Sequence, residues 1–168
     1  MRKVFVYLFL VLLTQTAYAQ GYFIAFLAEN PNTTGVGHAF IGIGKGTPLT
    51  CDVNGNTTEL WGFYPKSRLS GGKSFWAGPV EGKIMSDIRT HADHFTYRRI
   101  DFADYLKIQL KVEEWKKKQY RLTKNDCVTF FIDVAGLFPG KISIPDRTKF
   151  QTPGSFVSQF INANKGRE

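Results

Sequence analysis

Residues 123–136 read TKNDCVTFFIDVAG and place a cysteine, Cys127, where a buried helix should begin. Asn125 is a good N-cap and Asp126 stands beside it. Val128, Phe131, Ile132 and Ala135 form an apolar helical stripe that Gly136 or Gly140 and Pro139 bring to an end. A thiol in the first turn of a helix meets free backbone N–H groups and the positive end of the helix dipole. That setting lowers a thiol pKa toward the thiolate, which attacks carbonyl carbon. The Val-Thr-Phe-Phe run anchors the helix and leaves Cys127 at the rim, so the expectation is an exposed nucleophile on a rigid support.

A nucleophile of this kind needs a base, and the sequence offers His38, His91 and His94. His38 lies between Gly37 and a strand of small and apolar residues, where the flanking glycines let another element come close. His91 and His94, in THADHF, fall in a polar turn; their spacing would suit two metal ligands, but no third ligand accompanies them and no cofactor is expected. A third polar group would orient the imidazole. Glu59 on the following strand is the first candidate, facing His38 if the two strands pair as a hairpin; Asp52 and Asn125 are alternatives. Taken alone, Cys127 also reads as a buried small hydrophobe, or as half of a disulfide with Cys51.

The elements that must position these groups follow from the pattern. GYFIAFLAEN is dense in aromatic and β-branched residues and predicts a buried strand ending at the turn ENPNTTG. VGHAFIGIGKG predicts a second strand with Ala39, Ile41 and Ile43 on one face and His38 and Phe40 on the other. TTELWGFYP predicts a third, stopped by Pro65. Residues 66–80 read as a long Gly- and Ser-rich loop, a flap over a site, with Phe63, Tyr64, Phe75 and Trp76 as a core under that loop or a ligand-contact patch. HFTYRRIDF resumes strand alternation. From Asp101, a capping residue, Phe102, Tyr105, Leu106 and Val112 predict a helix running to about Lys118. A short helix near GSFVSQFINANK follows, and the succession of strands and helices predicts an α+β fold.

The first residues, MRKVFVYLFLVLLTQTAYAQ, have the layout of a cleavable secretory signal over residues 1–19: Arg2 and Lys3, an apolar run too short to span a bilayer, and Ala17-Tyr18-Ala19 before the cut. Residues 20–168 then form one domain, secreted or periplasmic. Arg2 and Lys3 leave with the signal, so 20 Lys+Arg remain against 14 Asp+Glu, a net charge of +6. That surplus suits anionic partners such as envelope polymers or lipid headgroups. Nucleic acid is a poor fit, because no binding motif accompanies the charge.

GHAFIGI followed by YRLTKNDCVTFFIDVAG resembles the permuted branch of the NlpC-type papain-like superfamily, which includes lecithin:retinol acyltransferase-like proteins. In that branch the histidine strand precedes the cysteine helix. The match covers roughly residues 22–64 and 95–137. It implies an antiparallel sheet packed on the Cys127 helix, Cys127 as nucleophile, His38 as base, and a variable third residue on the strand after the histidine, which Glu59 would satisfy. Backbone N–H groups at the helix start would hold the oxyanion. The chemistry implied is acyl transfer through an acyl-enzyme, and the secretory signal and basic surface favour hydrolysis of an envelope peptide or amide. The competing expectations are a non-catalytic binding module with a Cys51–Cys127 disulfide, and a lipid acyltransferase or esterase of the same fold.

Overall fold

The computed structural model describes residues 21–32, 36–46, 57–67, 73–74, 76–86 and 92–166. The segment read as a signal, together with Cys51, Asp52, Phe75 and His91, lies outside them. Six strands, β1 (Tyr22–Glu29), β2 (His38–Lys45), β3 (Thr57–Pro65), β4 (Val80–Ser86), β5 (His94–Ile100) and β6 (Gln119–Tyr120), form one sheet in the order β5-β1-β2-β3-β4-β6. Every pairing is antiparallel. The helices are α1 (Phe102–Trp115), α2 (Cys127–Ala135) and α3 (Pro153–Ala163). This is the expected α+β arrangement of an antiparallel sheet packed on a capped helix, with the histidine strand ahead of the cysteine helix.

The central strand explains itself. Phe23 to Ala28 are all fully buried, so β1 is covered on both faces and reads as an unbroken apolar run rather than an alternation. On one face Ile24, Phe26, Ala39, Ile41, Ile43 and Phe63 pack against Trp115, Val128, Phe131 and Phe160 from the three helices. On the other, Phe23, Ala25, Leu27, Phe40, Leu60 and Ala92 form a smaller cluster. Helix α2 lies over β2 and β3, and α3 over β1 and β5.

Asp101 caps α1 by accepting the Asp104 N–H at 2.7 Å, as expected, but the helix stops at Trp115. Residues 116–118 leave it so that Gln119 and Tyr120 can pair with β4. The expected stripe is also displaced. Ile108, Val112 and Trp115 are the buried side chains, while Phe102 and Leu106 are exposed. Trp115 decides the rotation, since its ring stands edge-on to Phe63 at 4.8 Å and its Nε1 donates to Asp133 at 3.1 Å.

Candidate active site

The turn into α2 is built from hydrogen bonds to one carboxylate. Asp126 is the N-cap, with Oδ1 accepting the Thr129 N–H at 3.1 Å and Oδ2 accepting the Thr123 N–H at 2.8 Å. Thr123 adopts φ +66°, rare for a threonine, and its bond to Asp126 holds it there. Asn125, the cap favoured by the sequence, sits one residue too early. Its backbone bridges to Arg121 in both directions, and its side chain donates to the Gln119 carbonyl. Asn125 therefore shapes the turn, and the stronger acceptor, Asp126, takes the helix.

Arg147, which the sequence reading did not single out, closes the cap. Its Nη1 and Nη2 meet Oδ1 and Oδ2 of Asp126 at 2.8 and 2.7 Å, a two-pronged pair, and Nη1 also donates to Thr129 Oγ1 at 3.0 Å. Asp126 is only 2% exposed. A carboxylate so deep needs its counter-charge, which arrives from a segment 21 residues further along.

Cys127 is the first residue of α2 and carries a free thiol. The expectation of a rim-exposed, acidified thiol is not met. Cys127 is 6% exposed, and burial, reinforced by the neighbouring Asp126 charge, pushes the thiol from 9.0 up to about 12. The backbone groups of Ala39 and Val128, hydrogen-bonded to the sulfur, and the Arg147 guanidinium pull the other way without prevailing. The helix start favours an anion, but desolvation is the larger effect here. Tyr120 lies in the same enclosure. Its hydroxyl is pushed well above the usual phenol range by burial, and then by the charges that Cys127 and Asp126 would carry.

The Ala39 contact places the sulfur beside the residue that follows His38. His38 begins β2 and is 5% exposed. As the alternation predicted, Ala39, Ile41 and Ile43 face the helices, while Phe40 faces the smaller cluster. The His38 ring takes the Phe40 side, stacked on Tyr64 at 4.2 Å and near-parallel to Phe40 at 5.9 Å. Gly62 makes this possible, because a Cβ there would collide with His38 Nε2 and would sit 2.7 Å from the Tyr64 ring. The structure thus brings Cys127 to the start of β2 through backbone contact and gives the imidazole an aromatic seat over β3. Gly62 was legible only as part of a strand, and Tyr64 only as a member of the aromatic group beside the long loop.

Glu59 is elsewhere. The strands do pair, but the register sets Glu59 opposite Ile43 and Gly62 opposite Phe40. Five residues separate Ile43 from His38, roughly 17 Å of strand. Glu59 accepts instead from Gln109 Nε2 at 2.9 Å and Trp61 Nε1 at 3.1 Å, tying β3 to α1.

No protein-family model matches the sequence, and no curated protein matches it. One solved structure does. The crystal structure of the Type VI secretion system effector TseH aligns with a TM-score of 0.51 at 12% identity, covering 87% of this chain and 90% of that one. The likeness is one of fold.

Of the remaining candidates, His94 bonds Asn30 Oδ1 through Nε2 at 3.0 Å. Among the described residues no three His, Cys, Asp or Glu side chains gather as a metal site. The segment read as a flap is pinned at Ser74, whose buried Oγ accepts the Leu122 N–H at 3.3 Å in the turn ahead of Cys127. Phe63 belongs to the core, whereas Trp76 is 86% exposed.

Proposed function

We propose that the chain is an exported cysteine hydrolase of the permuted NlpC-type papain-like superfamily that cleaves amide bonds in cell-envelope peptides. The observation that carries the reading is the placement of a free thiol at the first position of a capped helix, against the backbone of the residue next to the single histidine of β2. The fold likeness to a secreted effector supports a target outside the producing cell.

In this mechanism the resting thiol is neutral, because the enclosure disfavours a thiolate. Substrate entry brings the scissile carbonyl to the start of α2. His38 takes the thiol proton once its ring swings from its seat on Tyr64 toward the sulfur at the start of β2, and the sulfur attacks the carbonyl carbon. The N–H group of Cys127, outside the intrahelical ladder, faces the developing oxyanion. Collapse of the tetrahedral adduct expels the amine, which receives the proton from His38, and leaves a thioester. Water then attacks the thioester with His38 as base, releasing the acid and restoring the thiol.

The test is incubation of the purified protein with peptidoglycan stem peptides, followed by intact-mass spectrometry after acid quench. A mass increase on Cys127 equal to the acyl fragment, with release of the amine fragment, is expected. Its absence in Cys127→Ala and His38→Ala, both folded by circular dichroism, completes the result. Turnover that survives Cys127→Ala would refute the assignment. Release of fatty acid from phospholipid vesicles with no stem cleavage would replace the amidase by an esterase of the same fold.

A further inference from the structure

The edge strand β5 borders a groove of about 880 Å³ lined by Thr96, Tyr97, Arg98, Arg99 and Ile100 on one side and by Phe138, Gly140, Lys141 and Ile142 on the other. Among the described residues, strand β5 pairs only with β1, so the opposite edge of its backbone faces this groove. Five consecutive edge residues give a run of roughly 16 Å. An edge of that kind is a template for one more strand.

The charge of the groove says what kind. Three of its nine lining residues are Arg or Lys and none is acidic. Arg98 is held by two carbonyl oxygens, Tyr97 O at 2.8 Å and Asn164 O at 2.6 Å, so its charge is fixed at the groove without a carboxylate against it. Lys141 reaches Asp104 only at 3.5 Å and keeps 72% of its side chain exposed. The register adds a geometric point. Arg98 is opposite Ile24, which faces the helices, and Arg99 opposite Phe23, which faces the other cluster. Positive charge therefore flanks the edge from both faces of the sheet, where the alternating side chains of an added strand would fall.

We infer that this groove docks an extended, carboxylate-bearing polypeptide segment as a seventh strand on β5, at a site separate from the thiol. Backbone pairing supplies the register, and Arg98, Arg99 and Lys141 neutralise the carboxylates. Because the Tyr97 carbonyl is already capped by Arg98, pairing is centred on the groups flanking it.

The probe is a fluorescein-labelled heptapeptide of alternating Glu and Val, titrated with the full chain and read by fluorescence anisotropy. Saturable binding that weakens at least tenfold in Arg99→Glu/Lys141→Glu is expected, while the same length of alternating Lys and Val stays unbound. Amide hydrogen exchange along residues 96–100 should slow on addition of the Glu-Val peptide, in wild type and in Cys127→Ala alike. No saturation at millimolar protein overturns the inference. So does equal binding by the charge-reversed variant, or binding without slower exchange along β5. Displacement of the peptide by equimolar inorganic phosphate overturns it in favour of a simple anion site.

Discussion

Removing the Arg147 charge should unseat the helix that carries Cys127. In Arg147→Met the aliphatic stem is kept, but the two contacts to Asp126 and the one to Thr129 Oγ1 are lost. Asp126 stays 2% exposed and stranded as an anion. Breaking one side of a buried pair costs about 3–5 kcal/mol, mostly the penalty on the partner left behind. Asp126→Asn acts differently, since asparagine caps helices as well as aspartate does, and this variant strands the guanidinium instead. A cost of roughly 2–3 kcal/mol follows from losing the charge-assisted bonds. With both residues replaced nothing charged is stranded, so the double variant should lie well short of the sum, with a coupling of about 2–3 kcal/mol. Urea unfolding at pH 7 of the four proteins, followed by tryptophan fluorescence, closes the cycle. Additivity within about 0.5 kcal/mol would mean that the pair is a solvated contact and that the cap does not depend on it.

The buried thiol has a signature in alkali. Its folded pKa, about 12, lies above the ordinary thiol value, so the folded state holds a proton that the unfolded chain releases. The contribution is complete below about pH 8.5 and is lost as pH rises toward 12, at up to about 1.4 kcal/mol per pH unit. Unfolding free energies between pH 8 and 10, below the range where Tyr120 adds its own slope, should fall more steeply in wild type than in Cys127→Ala; equal slopes would show that the thiol is not enclosed. Gly62→Ala drives a methyl group into the His38 and Tyr64 rings. It should cost about 1–3 kcal/mol and reduce stem-peptide cleavage more than it reduces stability near 25 °C; undiminished cleavage would show that the ring position is immaterial. Glu59→Gln, in contrast, should cost about 1–2 kcal/mol by loosening Gln109 and Trp61. It should leave the pH profile of cleavage unmoved, and a shifted acidic limb would return Glu59 to the catalytic group.

How much of this was legible in the sequence depends on how local each determinant is. The strand of Phe23–Ala28, the alternation of β2 and the Asp101 cap follow from periodicity and capping chemistry within a few residues, and all three are found. The position of α2 was legible to within one residue; Asp126 displaced Asn125 because a buried carboxylate became affordable once Arg147 was present, 21 positions away. The register of β3 was not legible, because it rests on Gly62 admitting the His38 ring and on a shift between Ile43 and Gly44, and neither has a local pattern. The rotation of α1 was hidden for a similar reason. Phe102, Leu106 and Leu110 look like core residues by type, and only the Trp115 contacts turn them outward. Strands β4 and β6 are half-exposed or two residues long, so they leave little hydrophobic trace. The thiol environment was misjudged because a helix start is a local feature, whereas burial is set by the whole fold.

Asn164 accepts the Ser143 N–H at 2.8 Å and donates to the Ser143 and Phe160 carbonyls at 2.7 and 2.8 Å. It thereby secures to α3 the start of the segment that leads to Arg147. During synthesis the ribosome delivers Cys127 well before either residue emerges, and a chain halted in that interval has no counter-charge for Asp126 and no anchor for Ser143. Cys127 is made early and seated late. A growing chain therefore carries an ordinary, unplaced thiol, and its enclosed setting arises only when residues 143–164 fold back onto it. On the proposed reading of an exported hydrolase, that order of assembly keeps the maker's own amide bonds out of reach while the chain is still being built.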